Sequence, residues 1–322
     1  MREASYNALV PHRIVLDTDM GSDVDDALCL ALALAAPELE LAAVTHVCGD
    51  TRVRAQISRR LLVLAGRGDV PAYAGRSQPL GGSNRFVWFG HEGAGILDGA
   101  APPVPDADAV DVLCRMFRTV ADLELVTVGP LTNVAAALAA DPGLAGRIRQ
   151  LTLMGGYVRG ATYGGVAFPP AYDYNLCADP DAALRVLGAG IPTRMIPIDV
   201  TMQVWIAERD VRAMAASPSA LHNALARAVR RWSPGMNASL VGAGADPTID
   251  NTAFLHDPLA LACVYDESFC TFEDLWIVPR LEDGVLRTRE HPAAAPGAHR
   301  IRCATAVDSG RFVAHYRRRL GI

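Results

Sequence analysis

Short apolar runs alternate along the chain with longer segments whose apolar residues recur at helical spacing. The short runs predict strands at residues 13–17, 39–47, 123–128, 150–154, 193–198 and 272–278. The longer segments predict helices at residues 25–36, 52–65, 107–119, 132–140, 180–187, 207–215, 220–232, 258–265 and 309–320. Because apolar strands separated by helices are typical of parallel sheets covered on both faces, we expect an α/β fold: a Rossmann-like, mostly parallel central sheet flanked by helices.

Turn-forming residues mark the borders of these elements. Asp179 with Pro180, and Asp257 with Pro258, predict two helix starts that have an aspartate N-cap and a proline at the first helical position. The Gly/Pro-rich segments 75–105, 155–170 and 233–250 predict long loops, which in compact domains often bind ligands. Since no repeat or low-complexity linker interrupts the pattern, we expect a single domain over residues 1–322.

The charged residues and the cysteines narrow the range of functions. The net charge is −5, and all 30 basic residues are arginine. A chain without lysine excludes Schiff-base catalysis and a P-loop lysine, and the acidic balance gives no indication of a nucleic-acid or membrane partner. The seven cysteines form no CxxC pair and residues 1–12 contain no apolar leader, so we expect a cytoplasmic protein.

The densest chemistry lies in "VLDTDMGSDVDDALCLALAL", residues 15–34. Five aspartates lie there between a predicted strand and a predicted helix: Asp17, Asp19, Asp23, Asp25 and Asp26. Ligands bind at this edge of open α/β sheets. A helix N-terminus favours a carboxylate by only about 0.3–1 kcal/mol, which is too little for so many. A divalent cation removes the conflict, and the cluster therefore predicts a metal site.

Two other aspartate motifs compete with this hypothesis. An EF-hand is excluded because Gly21 stands where the third ligand belongs and Leu28 stands at the last ligand position. A Mg²⁺-dependent phosphatase of the haloacid-dehalogenase type also begins with a strand followed by DxD, and Asp17 would then be phosphorylated. That class ordinarily holds the phosphoryl group with a lysine, which this chain lacks. The phosphatase stays an alternative.

Further motifs follow in a fixed order: "DTDMGSDVDDA" (17–27), "GHEGAGILDG" (90–99), "LVTVGPLTNVAAAL" (125–138), "LTLMGG" (151–156), "YDYNLCADPDAA" (172–183) and "FLHDPLALA" (254–262). The ordered set resembles the inosine-uridine preferring nucleoside hydrolase family over nearly the whole chain. The first motif is a variant of that family's fingerprint, with two extra residues before the closing DDA.

This resemblance implies Ca²⁺-dependent hydrolysis of the N-glycosidic bond of ribonucleosides or of a related riboside, by a homodimer or homotetramer. Asp19 matches the general base that activates a water at the metal. His256, the second implied catalytic residue, matches the histidine beside the last ligand and could give a proton to the leaving base. The implied metal ligands are Asp19, Asp25, Asp26, Asp257 and the backbone carbonyl of Val128. The implied substrate contacts are Asp25, Asp50, His91, Asp173 and Asn175.

Departures from the family pattern fall on the sugar-binding side. Asp50 replaces an asparagine, Asp173 replaces a glutamate, and a loop asparagine has no match in "GGVAFPPAYDYN". These changes favour an unusual riboside, and they leave a catalytically silent ribose-binding homologue as a third hypothesis. Asn133 is expected to help cap a helix. The candidates for stacking on a base are Trp88, Trp205 and Trp232.

Overall fold

The computed structural model describes residues 10–82, 92–99, 102–168 and 172–322. Its strands are β1 (His12–Thr18), β2 (Leu39–His46), β3 (Ala72–Ala74), β4 (Leu123–Thr127), β5 (Leu151–Met154), β6 (Ala161–Tyr163), β7 (Val166–Phe168), β8 (Thr193–Ile196), β9 (Trp205–Ile206), β10 (Ala253–Phe254), β11 (Cys270–Glu282), β12 (Val285–His291) and β13 (His299–Val307). The main sheet has the order β12-β11-β13-β8-β5-β4-β1-β2-β3, and two small sheets pair β6 with β7 and β9 with β10.

The helices connect these strands and cover the sheet. They are α1 (Asp25–Ala35), α2 (Thr51–Leu64), α3 (Ala109–Thr119), α4 (Thr132–Ala140), α5 (Tyr174–Ala178), α6 (Pro180–Leu187), α7 (Ile198–Thr201), α8 (Glu208–Ala216), α9 (Ala220–Gly242), α10 (His256–Tyr265) and α11 (Ser309–Leu320). Within the described ranges, no helix is both long and apolar enough to cross a bilayer.

Most of the main sheet is parallel, which confirms the expected fold class. Strand β1 pairs in parallel with β2 and β4, and the parallel series continues through β5, β8 and β13. Among the described strands of this sheet, β11 alone runs against the series: it is antiparallel to both of its neighbours, β12 and β13, which therefore run in the common direction. Asp17 of β1 is level with Thr127 of β4, which is level with Leu153 of β5. The residues that follow these strands therefore meet at one edge.

Strand β1 shows how the sequence places helices on both faces. Ile14 and Leu16 lie in one buried apolar cluster with side chains of α1, α2, α9, α10 and α11. Val15, which points to the other face, lies in a second cluster with side chains of α3, α4 and α6. The alternation follows from the period of two along a strand, and burial of both faces explains why the three central residues of β1 are all apolar.

Two sequence-based expectations about helices are wrong. Helix α9 does not end near Trp232 but continues to Gly242 with Pro234 inside it, so part of the expected loop 233–250 is helical. Trp232 and Met236 stay buried on either side of the proline, and this packing outweighs the loss of one amide donor. Asp257 is not an N-cap: α10 already begins at His256, and Asp257 lies in its first turn. The matching expectation for Asp179 is confirmed, since its carboxylate accepts the Ala182 N–H.

Candidate active site

A cavity of about 480 Å³ opens where β1, β4 and β5 end. The residues that line it come from six separate segments of the chain: Asp19, Ser22, Asp23, Asp25, Asp26, Val128, Met154, Tyr172, Asp173, Tyr174, Asn175, Ile198, His256 and Asp257. Its volume falls in the range of typical small-molecule sites. Most of the residues that the sequence singled out therefore converge on one cavity.

Three buried carboxylates form the centre of this cavity. Asp25 and Asp26 lie in the first turn of α1, and Asp257 lies in the first turn of α10. One carboxylate oxygen from each lies within 4.8 Å of the other two. All three residues are at most 4% exposed. The two helix starts are joined directly, because the backbone N–H of Asp257 donates to Asp25 Oδ2 at 3.3 Å.

The electrostatics of the three acids match a cation site. Burial, reinforced by repulsion among neighbouring carboxylates, raises the pKa values of Asp25, Asp26 and Asp257 well above the ordinary aspartate range. Oxygens bound to one Ca²⁺ at 2.3–2.6 Å can be at most about 5 Å apart, and one oxygen from each of these acids lies within 4.8 Å of the others. An all-oxygen donor set is what hard divalent cations prefer. The residues present therefore fit a hard divalent cation.

Asp19 borders this cluster from the end of β1. It is 3% exposed, and burial raises the pKa of its carboxyl group. Its neighbour Thr18 points back into the cluster, where its hydroxyl donates to Asp26 Oδ1. Asp23, from the two-residue insertion, also lines the cavity, and burial raises its pKa to about 7. The DTD motif thus supplies a carboxylate beside the three-acid cluster, from Asp19, and a hydrogen-bond donor to that cluster, from Thr18.

Asn175 and Val128 form the wall next to Asp19. The Asn175 side-chain amide donates to the carbonyl oxygens of Val128, at 3.0 Å, and Met154, at 3.1 Å. The backbone N–H of Val128 donates to the Asp17 carbonyl at 2.8 Å. A carbonyl oxygen has two lone pairs, so Val128 can accept from Asn175 and still offer a ligand. Asn175 therefore fixes the orientation of the carbonyl that the sequence nominated.

A comparison with known protein families identifies the family of the chain. The model described as inosine-uridine preferring nucleoside hydrolase matches residues 14–314. The chain belongs to this family. It is therefore an enzyme, an N-glycosidase of the nucleoside hydrolase class.

Individual relatives agree with this membership. A pyrimidine-specific ribonucleoside hydrolase, RihA, from Shewanella sp. (strain MR-7) is 33% identical over 272 residues, which cover 82% of this chain and 81% of the relative. A solved plant nucleoside hydrolase, the PpNRh1 enzyme, superposes with a TM-score of 0.82 at 26% identity over 96% of this chain and 99% of its own. A purine-preferring ribonucleoside hydrolase from Gardnerella vaginalis gives 0.80 at 27% identity over 96% and 98%.

Two residues of the nucleoside hydrolase site have internal partners that limit their roles. Asp173 is the N-cap of α5, where its carboxylate accepts the Leu176 N–H at 2.9 Å, and burial raises its pKa to about 6. The ring of His256 stacks on Phe254 at 4.8 Å, and its Nδ1 lies 2.7 Å from the Thr201 hydroxyl. Burial lowers the pKa of His256 to about 3, so its imidazole is neutral at neutral pH.

Several other nominated residues lie elsewhere. Asp50 is exposed outside the cavity and caps α2, where it accepts the Val53 N–H at 3.0 Å. Trp205 packs against Tyr163 and Phe254 in the small β9–β10 region. Trp232 lines a separate small cavity beside α9. His91 and Trp88 lie outside the described residues.

The remaining aspartate of the motif, Asp17, argues against the phosphatase alternative. It is completely buried and absent from the cavity wall. Its Oδ1 accepts from the Thr45 hydroxyl at 2.5 Å and from the Asn133 amide at 2.8 Å. Asn133 is therefore not a helix cap: it joins the ends of β1 and β2, since it also donates to the His46 carbonyl at 3.0 Å. A side chain held in this way cannot attack a phosphoryl group.

Sequence reasoning missed other residues of the cavity wall. Ser22, Met154, Tyr172, Tyr174 and Ile198 line it, although none was nominated. For four of them a signal existed, because they lie within or beside the quoted motifs. Ile198 is the first residue of the short helix α7, which follows β8. It lies at the cavity because β8 is the neighbour of β5 in the sheet, which the sequence did not indicate.

Proposed function

We propose that this nucleoside hydrolase cleaves the N-glycosidic bond of ribonucleosides, or of a related riboside, in a Ca²⁺-dependent reaction that releases the base and ribose. The observation that carries the proposal is the meeting of Asp25, Asp26 and Asp257 within 4.8 Å at the base of the cavity. Asp25 and Asp26 lie more than 230 positions before Asp257 in the sequence. The three acids are buried, and among the described contacts none of them is bound by an arginine. A divalent cation explains that arrangement.

Calcium is the proposed ion because of the donors around it. Asp25, Asp26 and Asp257 would hold it with the Val128 carbonyl, and Asp19 borders the same space. Ca²⁺ accepts six to eight oxygen ligands in flexible geometry, whereas Mg²⁺ usually keeps several waters and few protein ligands. A bound Ca²⁺ would supply positive charge that makes water more acidic and holds a sugar diol.

Asp19 is the proposed general base. It is the carboxylate of the DTD motif that reaches the cavity without belonging to the three-acid cluster. A base must lie within hydrogen-bond reach of the water that it deprotonates, and Asp19 borders the space between the acids and Asn175. Proton transfer to a positioned carboxylate typically contributes a factor of about 10² to 10⁴ in rate.

The wall of the cavity suits a sugar that becomes positively charged. Breaking an N-glycosidic bond passes through an oxocarbenium-like state, and nearby carboxylates stabilise the developing charge. We propose that Asp25, Asn175 and Asp173 contact the ribose hydroxyls. His256 is neutral and its Nδ1 is engaged by Thr201, so we assign its Nε2 to a hydrogen bond with the substrate and not to acid catalysis.

The experiment is a measurement of ribose release from purine and pyrimidine nucleosides with saturating Ca²⁺. Both base classes are needed, because one relative is named as pyrimidine-specific and another as purine-preferring. We expect release that stops with a chelator and returns with Ca²⁺. Asp19→Asn should lower kcat by about 10² to 10⁴. Asp111→Asn, an exposed aspartate of α3, is the matched control and should keep full activity.

Two outcomes would contradict the proposal. Nucleoside binding without any release of ribose would favour the silent homologue. Full activity in a chelator would exclude the Ca²⁺ requirement. We also propose that the active form is a cytoplasmic homodimer or homotetramer, which sedimentation of the purified protein and fractionation of cells would test.

A further inference from the structure

A buried arginine lies directly behind the proposed base. Arg54, in α2, is 1% exposed. Its hydrogen bonds among the described residues end on carbonyls and one hydroxyl: Nε donates to Cys48 O at 2.5 Å, Nη1 to Met20 O at 2.9 Å and to Asp19 O, and Nη2 to Ser22 Oγ at 2.9 Å. The guanidinium thus contacts the turn at residues 19–22 and also Cys48, in the segment that follows β2.

A buried cation held by uncharged acceptors is energetically costly, because the loss of its hydration is only partly compensated. The nearest compensating charges are those of the cavity. Burial raises the pKa values of Asp19 and Asp26, and the positive charge of Arg54 partly offsets that rise. Its place in the molecule is therefore explained by the acids in front of it, not by packing of α2.

The contacts lead from Arg54 to the Asp19 carboxylate in two steps. The Asp19 carbonyl accepts from Arg54 Nη1 and from the Ser22 N–H, at 3.1 Å for the latter, which closes the turn. The Ser22 hydroxyl accepts from Arg54 Nη2 and is also hydrogen-bonded to the Asp19 carboxylate. Both the backbone and the side chain of Asp19 are therefore fixed relative to the guanidinium.

We infer that Arg54 is a positioning residue for the proposed hydrolysis: its forked guanidinium holds the 19–22 turn so that the Asp19 carboxylate faces the cavity in one orientation. The inference rests on the proposed role of Asp19. This role requires the forked shape of the guanidinium and not only its positive charge. Lysine offers one compact ammonium that cannot reach acceptors on both sides of the turn.

Arg54→Lys separates these two requirements. We expect kcat to fall on the order of 100-fold, as for a reacting group displaced by about 1 Å, while KM changes much less. Ser22→Ala removes only the last link and should lower kcat about tenfold, with some loss of stability because the buried Arg54 Nη2 loses an acceptor. Arg194→Lys is the matched control: Arg194, in β8, is also largely buried, with 11% of its side chain exposed, but it binds Glu267, which follows α10, and Thr152 of β5. It should keep full kcat.

Hydrogen exchange supplies a readout that does not depend on activity. We expect the Ser22 amide to exchange at least tenfold faster in Arg54→Lys than in the wild type and in Arg194→Lys, since its acceptor is no longer fixed. Unchanged exchange in Arg54→Lys would overturn the inference, and so would faster exchange with unchanged kcat. A wild-type protein that releases no ribose would instead refute the proposed function, and exchange would still decide whether Arg54 holds the turn.

Discussion

Replacing Gly129 with alanine tests how closely the site must hold Asp19. Gly129 follows Val128 at the end of β4, where the chain passes against the end of β1. A Cβ atom at this position would lie 2.7 Å from the Asp19 backbone nitrogen and 2.9 Å from Asp19 Oδ1. Ordinary contact begins at 3.4 Å, so the two segments must separate by about 0.7 Å to restore it. Neither neighbour is the flexible end of a long side chain that would simply rotate away.

The size of the expected effect follows from that separation. Both sides of the contact carry proposed site groups: the base on one and the Val128 carbonyl on the other. A misplacement of about 1 Å in a catalytic site costs on the order of 100-fold in rate. We therefore expect Gly129→Ala to lower kcat by roughly 10- to 100-fold, together with a weaker Ca²⁺ affinity because the carbonyl moves as well.

The assay is the initial rate of ribose release at saturating nucleoside and Ca²⁺, with calorimetric titration of Ca²⁺ as a second measurement. Gly146→Ala is the matched control, because a Cβ at Gly146 meets nothing within 4 Å. It should leave both quantities unchanged. A Gly129→Ala variant with kcat within twofold of the wild type would refute the reasoning, since the clash would then be relieved without any displacement of Asp19.

Three further predictions concern charge and hydrogen bonding. Asp257→Asn should weaken Ca²⁺ binding on the order of 100-fold, measured by calorimetry, because one of three charged ligands is lost; unchanged affinity would exclude the site. Asn175→Asp should lower the free energy of unfolding by about 1–3 kcal/mol or more in urea titrations, because a carboxylate would face the Val128 and Met154 carbonyls; Asn175→Ala should cost less. Burial raises the pKa of Asp17 to about 7, so its neutral form stabilises the fold at low pH and this contribution is lost as pH rises from about 4 to 7. Asp17→Asn should reduce the slope of the free energy of unfolding against pH by up to about 1.4 kcal/mol per pH unit in that window. A pH profile identical to that of the wild type would contradict this prediction.

The parts of the site that follow one strand directly were predictable from sequence. A parallel strand that ends in DTD, followed by a helix that begins with two acids, places Asp19, Asp25 and Asp26 at the ligand-binding edge by the geometry of the fold alone. The family motif added Asp257, which no local pattern connects to α1. Its proline neighbour even gave a misleading signal for an N-cap.

Residues whose roles depend on the local path of the backbone were not predictable. Asp50 follows β2 at the same edge as Asp19, but Cys48 and Gly49 adopt left-handed φ angles of 67° and 68°, and the chain turns the Asp50 carboxylate onto the N-terminus of α2. Arg54 carries no motif, because its four acceptors lie on two segments that only the folded chain brings together. Helix α9 passes through Pro234 because tertiary packing outweighs local preference.

The acid cluster also ties stability to metal binding. Two unit charges at the 4.8 Å upper limit of these distances repel by about 3.5 kcal/mol at an effective dielectric constant of 20, closer charges repel more, and the three carboxylates form three pairs. The N-termini of α1 and α10 each offset about 0.3–1 kcal/mol, which is far less. Without a cation the protein must therefore keep protons on these groups, as their raised pKa values indicate, or lose stability. A ligand that binds only the folded chain stabilises it by about 2.7 kcal/mol at 100 times its Kd. We therefore predict that a divalent cation which binds the three acids raises the stability of the folded chain.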